Sequence, residues 1–152
     1  MFFLGCTPKN NFHKPITDVE KTLDQIIIQS SNEDNVLICI LKNAKCINAY
    51  ADFLNMFSSK LLNKIRGREN ATVIQNCKGL DIPGMSCGID YNPITGGQDS
   101  SDQYLYRTVQ NSEDSKTIEM IFSDRANNNI NRYRMVLKKG RWILDWIHLG
   151  IT

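Results

Sequence analysis

The part of the chain that follows Gln103 alternates between apolar and polar residues with a period of two, and no other feature of the sequence constrains the fold as strongly. Four segments carry the alternation: QYLYRTVQ, KTIEMIFS, INRYRMVLK and RWILDWIHL. Successive side chains of a strand point to opposite faces, so this pattern predicts strands with one buried face. We therefore expect four antiparallel strands between about residues 103 and 149, with a tight turn at Lys139 and Gly140.

The last of these segments assigns its side chains to two faces. Both tryptophans and His148 fall on one face, and Asp145 falls on the other. We expect a pocket under the sheet that is lined by Tyr106, Trp142 and Trp146. These rings either fill the core or stack on a small ligand, and the pattern leaves both interpretations open. Because Asp145 and His148 point apart, they would make a poor acid–base pair.

The first half of the chain has a helical period instead. Thr17 and Glu20 form a capping box at the start of the first helix, and the apolar residues that follow it fall on one helical face. A second start signal, Ser31 with Asp34, precedes an apolar run over residues 36–41. That run fits either a buried helix or a strand, and we favour the helix.

The clearest helical pattern covers residues 48–65, with Gly67 as its stop signal. Its apolar stripe consists of Tyr50, Phe53, Leu54, Phe57, Leu61 and Ile65. We expect this helix to cross the sheet and to bury the stripe in the core. A run of helices followed by a run of strands predicts an α+β fold, in which N-terminal helices pack on an antiparallel sheet.

Composition and charge exclude several functional classes. Hydrophobic residues make up 41% of the chain and charged residues 22%, which is typical of a globular domain. The net charge of +2 is small and no run of basic residues stands out, so we expect no nucleic-acid partner. No Cys-x-x-Cys pair occurs, and His13 and His148 are the only imidazoles, so we expect no metal site. No phosphate-binding or dinucleotide motif indicates a cofactor.

The N-terminal segment MFFLGC resembles the end of a bacterial lipoprotein signal, in which a small residue precedes the cysteine that receives the lipid. On this interpretation Cys6 is lipidated and the protein is periplasmic or lipid-anchored to the envelope. Residues 1–15 form the tail and tether, and residues 16–152 form one domain. The apolar run is too short for a complete signal or a membrane span, so an ordinary role for Cys6 stays open.

Four further cysteines fit an oxidising compartment: Cys39, Cys46, Cys77 and Cys87. Four cysteines permit three pairings, and sequence alone does not choose among them. Cys77 and Cys87 flank a short segment rich in turn formers, and we predict that they are bonded. A bond between Cys39 and Cys46 would be harder to form inside a continuous helix, and both could be buried free thiols.

Two segments carry a family resemblance. YRMVLKKGRWILDWI resembles the last hairpin of the nuclear-transport-factor-2-like superfamily. GIDYNPITGGQDSSDQYLYRTV is similar to the loop signature of the bacterial domain-of-unknown-function 3828 family, which here falls on Asp90, Asn92, Pro93, Gln98 and Asp99. The resemblance implies a cone-shaped curved sheet and an exported, lipoprotein-like protein. The family has no assigned catalytic residues.

The loop over residues 90–102 has two interpretations. Asp and Asn side chains bond their own backbone in turns, which would make the loop structural. Alternatively it binds a protein partner, through Asp90, Asn92, Gln98, Asp99, Asp102 and Tyr104.

These expectations favour a non-enzymatic binding protein of the cell envelope over an enzyme. We expect an immunity protein that neutralises a secreted bacterial toxin by occluding it. An accessory lipoprotein of an envelope machine is one alternative. A small-ligand binder or enzyme with a pocket under the sheet is another. The membrane would be contacted only through a lipid on Cys6, and the sequence leaves a homodimer open.

Overall fold

The computed structural model describes residues 11–42, 50–80, 82–97, 103–124 and 129–150. Within these residues an all-helical half precedes an all-strand half, which confirms the α+β class. The helices are α1 (Asp18–Asn32), α2 (Asp34–Lys42), α3 (Ala51–Leu54) and α4 (Ser59–Cys77). The strands are β1 (Tyr104–Asn111), β2 (Ser115–Phe122), β3 (Asn131–Lys138) and β4 (Arg141–His148).

The strands form one antiparallel sheet in the order β1-β2-β3-β4, as the alternating segments predict. The tight turn between β3 and β4 is also confirmed. Lys139 and Gly140 have φ angles of 52° and 76°, a left-handed pair that suits a two-residue hairpin.

The core lies between the helices and one face of the sheet, which we call the inner face. The predicted capping box of α1 is present, because Thr17 Oγ1 accepts a hydrogen bond from the Glu20 amide and the Glu20 carboxylate accepts one from the Thr17 amide. The apolar side of α1 packs on the inner face in one cluster, which includes Val19, Leu23, Ile26, Ile118, Met120, Met135 and Leu144.

Residues 36–41 lie in helix α2, which settles the ambiguity of that apolar run in favour of the helix. Arg66 of α4 holds the C-terminal end of α2, since its guanidinium donates to the carbonyls of Ile40 and Cys39 at 3.0 and 3.1 Å. These are carbonyls that the helix itself leaves without a donor. Ser31, predicted to start the second helix, belongs instead to α1.

The prediction of one continuous helix over residues 48–65 is wrong within the described residues. The helix is interrupted between α3 and α4. There the Ser58 amide donates to the Leu144 carbonyl at 2.9 Å, and the Leu144 amide donates to the Met56 carbonyl at 2.7 Å. The backbone thus pairs with the edge of β4 before Ser58 caps α4. Gly67 does not end the helix, which continues to Cys77.

A β-bulge in β4 corrects the predicted faces of the last strand. Arg134 pairs with Trp146, and the next residue of β3, Met135, pairs with Leu144, so Asp145 has no partner across the strands. The extra residue reverses the alternation beyond it. Leu144 and Ile147 therefore pack in the core, whereas Trp146 shares the outer face of the sheet with Arg134.

Candidate binding surface

The segment over residues 89–97 is a turn that Asn92 locks from within. Its side-chain oxygen accepts hydrogen bonds from the amides of Ile94 and Thr95 at 2.8 and 3.3 Å. Its amide group donates to the Ser30 carbonyl at 3.3 Å, and its own backbone pairs with Gly97. The structural interpretation is confirmed for Asn92, whose side chain bonds its own backbone as a turn residue does.

The same loop is anchored to the sheet. Tyr133 donates its hydroxyl to the Ile94 carbonyl at 2.6 Å, and Asn131 donates to the Thr95 carbonyl at 2.7 Å. Ile94 is fully buried, and burial raises the pKa of Tyr133 so that its hydroxyl stays a donor. The loop is therefore part of the packed domain.

Helix α4 holds the segment that leads into this loop. A disulfide joins Cys77, the last residue of α4, to Cys87, as predicted from the short intervening segment. The buried Glu69 accepts a hydrogen bond from the Ile89 amide at 2.7 Å. At Gly88 a β-carbon would lie 2.2 Å from the Glu69 carboxylate, so only glycine fits there without a shift.

Two grooves share Tyr91, the residue just before the turn at Asn92. The acidic groove, about 270 Å³, contains Asp34 and Asp90 beside leucines of α2. The basic groove, about 260 Å³, lies between α4 and the end of β4 and contains Lys64 and Arg68. In the described parts of the chain, no lysine, arginine or histidine lines the acidic groove and no carboxylate lines the basic one. Tyr91 lines both.

The outer face of the sheet continues the basic groove. Trp146 and His148 stack with their ring centroids 5.9 Å apart, and the Arg134 guanidinium lies 5.3 Å from the Trp146 ring centroid. Two strands away, Glu119 accepts hydrogen bonds from Arg107 and Arg132, each at 2.7 Å. That carboxylate is therefore already neutralised by its neighbours.

The residues predicted to bind a partner do not share one environment. Asp90 is exposed and lines the acidic groove, while Asn92 lines it and uses its side chain to hold the loop. Gln98, Asp99 and Asp102 lie outside the described residues.

The expectation that Tyr104 contacts a partner is wrong, because its side chain belongs to the core and is only 4% exposed. Its ring packs edge-on against Phe122 with centroids 5.4 Å apart, and its hydroxyl lies 3.1 Å from Ser31 Oγ. The alternation of β1 places it on the inner face, where α1 covers it. A buried ring leaves no contact area for a docking protein.

The predicted pocket of three aromatic residues is also not formed. Tyr106 is fully buried and donates its hydroxyl to Asp24 at 2.5 Å. Trp142 lines a different cavity, near the start of α1, and Trp146 lines the basic groove. The bulge at Asp145 separates the two tryptophans, because it places them on opposite faces.

The cavity at the start of α1 has a volume of about 680 Å³. Glu20 is 2% exposed there and accepts a hydrogen bond from Thr108 at 2.8 Å, while His13 Nε2 lies 3.8 Å from its carboxylate. Lys116 lies over the Trp142 ring at 5.8 Å. Sequence reasoning missed His13, because its position depends on backbone pairing with Tyr106, which lies far along the chain.

This cavity offers a poor arrangement for acid–base catalysis. The other oxygen of Glu20 accepts hydrogen bonds from the amides of Ile16 and Thr17, so both carboxylate oxygens serve the fold. His13 is too far from Glu20 for a hydrogen bond.

No group of three or more histidine, cysteine or carboxylate side chains in the described residues could hold a metal ion. None of their helices is long and apolar enough to span a bilayer. Cys39 is disulfide-bonded, and the candidate lipidation site Cys6 lies outside the described ranges.

Comparison with models of known families, with characterised proteins and with solved structures finds no match to this chain.

Proposed function

We propose that this protein is a non-enzymatic binding protein that docks a protein partner through the loop over residues 89–97 and the two grooves beside it. One observation carries the proposal: Tyr91 stands between grooves of opposite charge, on a loop that Asn92 and Tyr133 hold in place. A rigid loop loses little conformational entropy on docking. Oppositely charged grooves orient a partner and exclude others.

The partner is a secreted bacterial toxin, and the protein acts as an immunity protein that occludes it. Support comes from the resemblance of the loop sequence to an exported family without assigned catalysis. Cell-envelope location, with Cys6 as a lipid anchor, belongs to the same proposal. The Cys77–Cys87 bond and the disulfide of Cys39 support an oxidising compartment, where such bonds persist.

The proposal extends to the fold, as a cone of the nuclear-transport-factor-2-like type. Support comes from the four-stranded antiparallel sheet, whose inner face is covered by α1 and by the loop around Ile94. An experimental structure that superimposes on such cones would establish it, whereas a flat sheet would argue against it.

A pull-down from periplasmic extract, with co-expression of the protein encoded next to this one, tests the proposed surface. We expect Asp90→Lys combined with Tyr91→Ala to weaken capture about tenfold or more, as losses of central contacts do. The matched control is Glu113→Lys, which changes an exposed acid in the turn between β1 and β2, away from the loop.

Unchanged capture by the double variant, with native circular dichroism, would show that this surface is not the interface. Capture of a resident envelope protein in place of a toxin would favour the accessory lipoprotein.

A second candidate function is the binding of a small ligand in the cavity beside Trp142. Its volume of about 680 Å³ falls in the range of small-molecule sites. Quenching of Trp142 fluorescence by a ligand from a metabolite screen, abolished in Thr108→Val, would support this function. A screen without any Trp142-dependent signal would argue against it.

A further inference from the structure

We infer that the basic groove is the docking site for an acidic polypeptide segment with an apolar anchor residue. This inference rests on the proposed function for a protein partner, and it adds the chemistry of the segment that the partner presents. The groove shares Tyr91 with the acidic groove but not Asp90, and it is lined by helix α4 and the end of β4.

The floor of the groove is apolar and fixed. Leu61 and Ile65 of α4 are 4% and 6% exposed, and Ile147 packs against the core. Tyr91, Pro93 and Trp146 also line it. A volume of about 260 Å³ is small for a metabolite but suits one inserted side chain. Anchors of this kind dominate the affinity of many interfaces.

The rim of the groove carries positive charge that the described parts of the protein leave unneutralised. Lys64 and Arg68 are exposed, stand one turn apart on α4, and have no ion pair there. By contrast Lys60, one turn earlier on the same side of the helix, pairs with Asp145 at 3.3 Å. Like charges at this spacing destabilise a helix, so a carboxylate supplied from outside would relieve the repulsion.

A cationic strip extends from the groove over the outer face of the sheet. His148 belongs to the groove and stacks on Trp146, which in turn lies under Arg134. The nearby Glu119 cannot neutralise this strip, since Arg107 and Arg132 already occupy its two oxygens. An extended acidic segment could therefore place its anchor between α4 and β4 and lay its remaining carboxylates along Arg134.

The apolar floor favours a polypeptide over a nucleic acid. A nucleic-acid track needs a longer series of phosphate contacts, whereas this groove combines two rim cations with an apolar floor. Binding of a single-stranded nucleic acid is the competing outcome of the test.

The experiment measures fluorescence anisotropy of short labelled peptides with the full, oxidised chain. The probes have a central Leu, Phe or Trp flanked by Asp and Glu, and their counterparts have Lys in place of every acid. We expect an acidic probe to bind and the lysine counterparts not to bind. Lys64→Glu combined with Arg68→Glu should weaken binding about tenfold or more. The matched control, Lys14→Glu combined with Lys21→Glu, makes the same change in net charge elsewhere and should bind normally.

Two results would overturn the inference. Acidic probes could fail to bind, or bind the Lys64/Arg68 variant as well as the native chain. Alternatively, a labelled single-stranded DNA oligonucleotide could bind while the acidic peptides do not, which would assign the groove to nucleic acid.

The two proposals fail in different ways. If Asp90→Lys with Tyr91→Ala abolishes partner capture but the Lys64/Arg68 variant captures normally, the proposed function stands and the groove inference is wrong. If acidic probes bind the groove but no protein partner depends on Asp90 or Tyr91, the groove inference stands and the proposed docking surface is wrong.

Discussion

Glu119 is a nearly buried carboxylate that lies between two arginines. It lies on β2 directly opposite Arg107 on one neighbouring strand and Arg132 on the other, and it is 3% exposed. Burial alone would raise the pKa of this carboxyl, but hydrogen bonds from both arginines and their charge lower the pKa below its ordinary value of 4.5. The charged form is therefore favoured in the folded protein.

A lowered pKa in the folded state has a defined effect on stability. Glu119 contributes stability at pH values above its unfolded pKa, and this contribution is lost as the pH falls through the folded pKa. We expect Glu119→Gln to reduce the free energy of unfolding by about 1–2 kcal/mol at pH 7, since the half-exposed Arg132 keeps the pair partly screened. Urea titrations at pH 7 and at about pH 3 measure the free energy of unfolding of both proteins. The variant should lose less stability on acidification than the native protein. An identical acid profile for both proteins would contradict the assignment.

The two tryptophans test the bulge at Asp145. Trp142 packs against the core cluster, whereas Trp146 lies on the outer face, where Arg134 covers its ring. We expect Trp142→Ala to lower the free energy of unfolding by about 2–3 kcal/mol, less than for a fully buried ring. Trp146→Ala should cost under about 1 kcal/mol, as surface changes usually do. Chemical denaturation gives both values, and equal losses would mean that the strand alternates without a bulge.

At the scale of single elements, a glycine in its interior lowers the stability of helix α4. Gly67 lies in the interior of the helix, and a β-carbon there would meet nothing within 4 Å. Glycine is about 1 kcal/mol less favourable than alanine in a helix interior. Gly67→Ala should therefore stabilise the protein by about that amount and raise Tm by about 3 °C. Calorimetry decides the matter, with Gly88→Ala as a control that should destabilise, because it collides with Glu69. Destabilisation by Gly67→Ala would mean that the helix ends where the glycine suggests.

At the scale of the whole molecule, the bond between Cys77 and Cys87 ties α4 to the segment that leads into the binding loop. Replacing both cysteines by serine should cost about 2–3 kcal/mol in the chain-entropy model, because the unfolded chain regains the freedom of that loop. Peptide mapping without reductant should recover the two cysteines in one linked pair of peptides. Two separate free-thiol peptides would refute the bond. Partner capture should also weaken in the serine variant, since the loop over residues 89–97 follows directly.

Local patterns were sufficient for the parts of the fold whose causes are local. The capping box of Thr17 and Glu20, the turn at Lys139 and Gly140, and the side-chain turn of Asn92 each depend on atoms within a few residues. Such features follow from backbone preferences and short hydrogen bonds, which a sequence displays directly. The change from helical to alternating period predicted the α+β class for the same reason.

The sequence by itself therefore determined which half of the chain is helical, which half forms strands and where the loop turns. Only the tertiary structure decided where individual helices begin and end and which surfaces the elements present. Helix 48–65 was expected to be continuous, but pairing of Ser58 with Leu144 interrupts it. One extra residue at Asp145 moved Trp146 from the expected pocket to the basic groove. The physical reason is that strand pairing and burial join residues far apart in the chain, and a shift of one residue changes the face of every side chain beyond it.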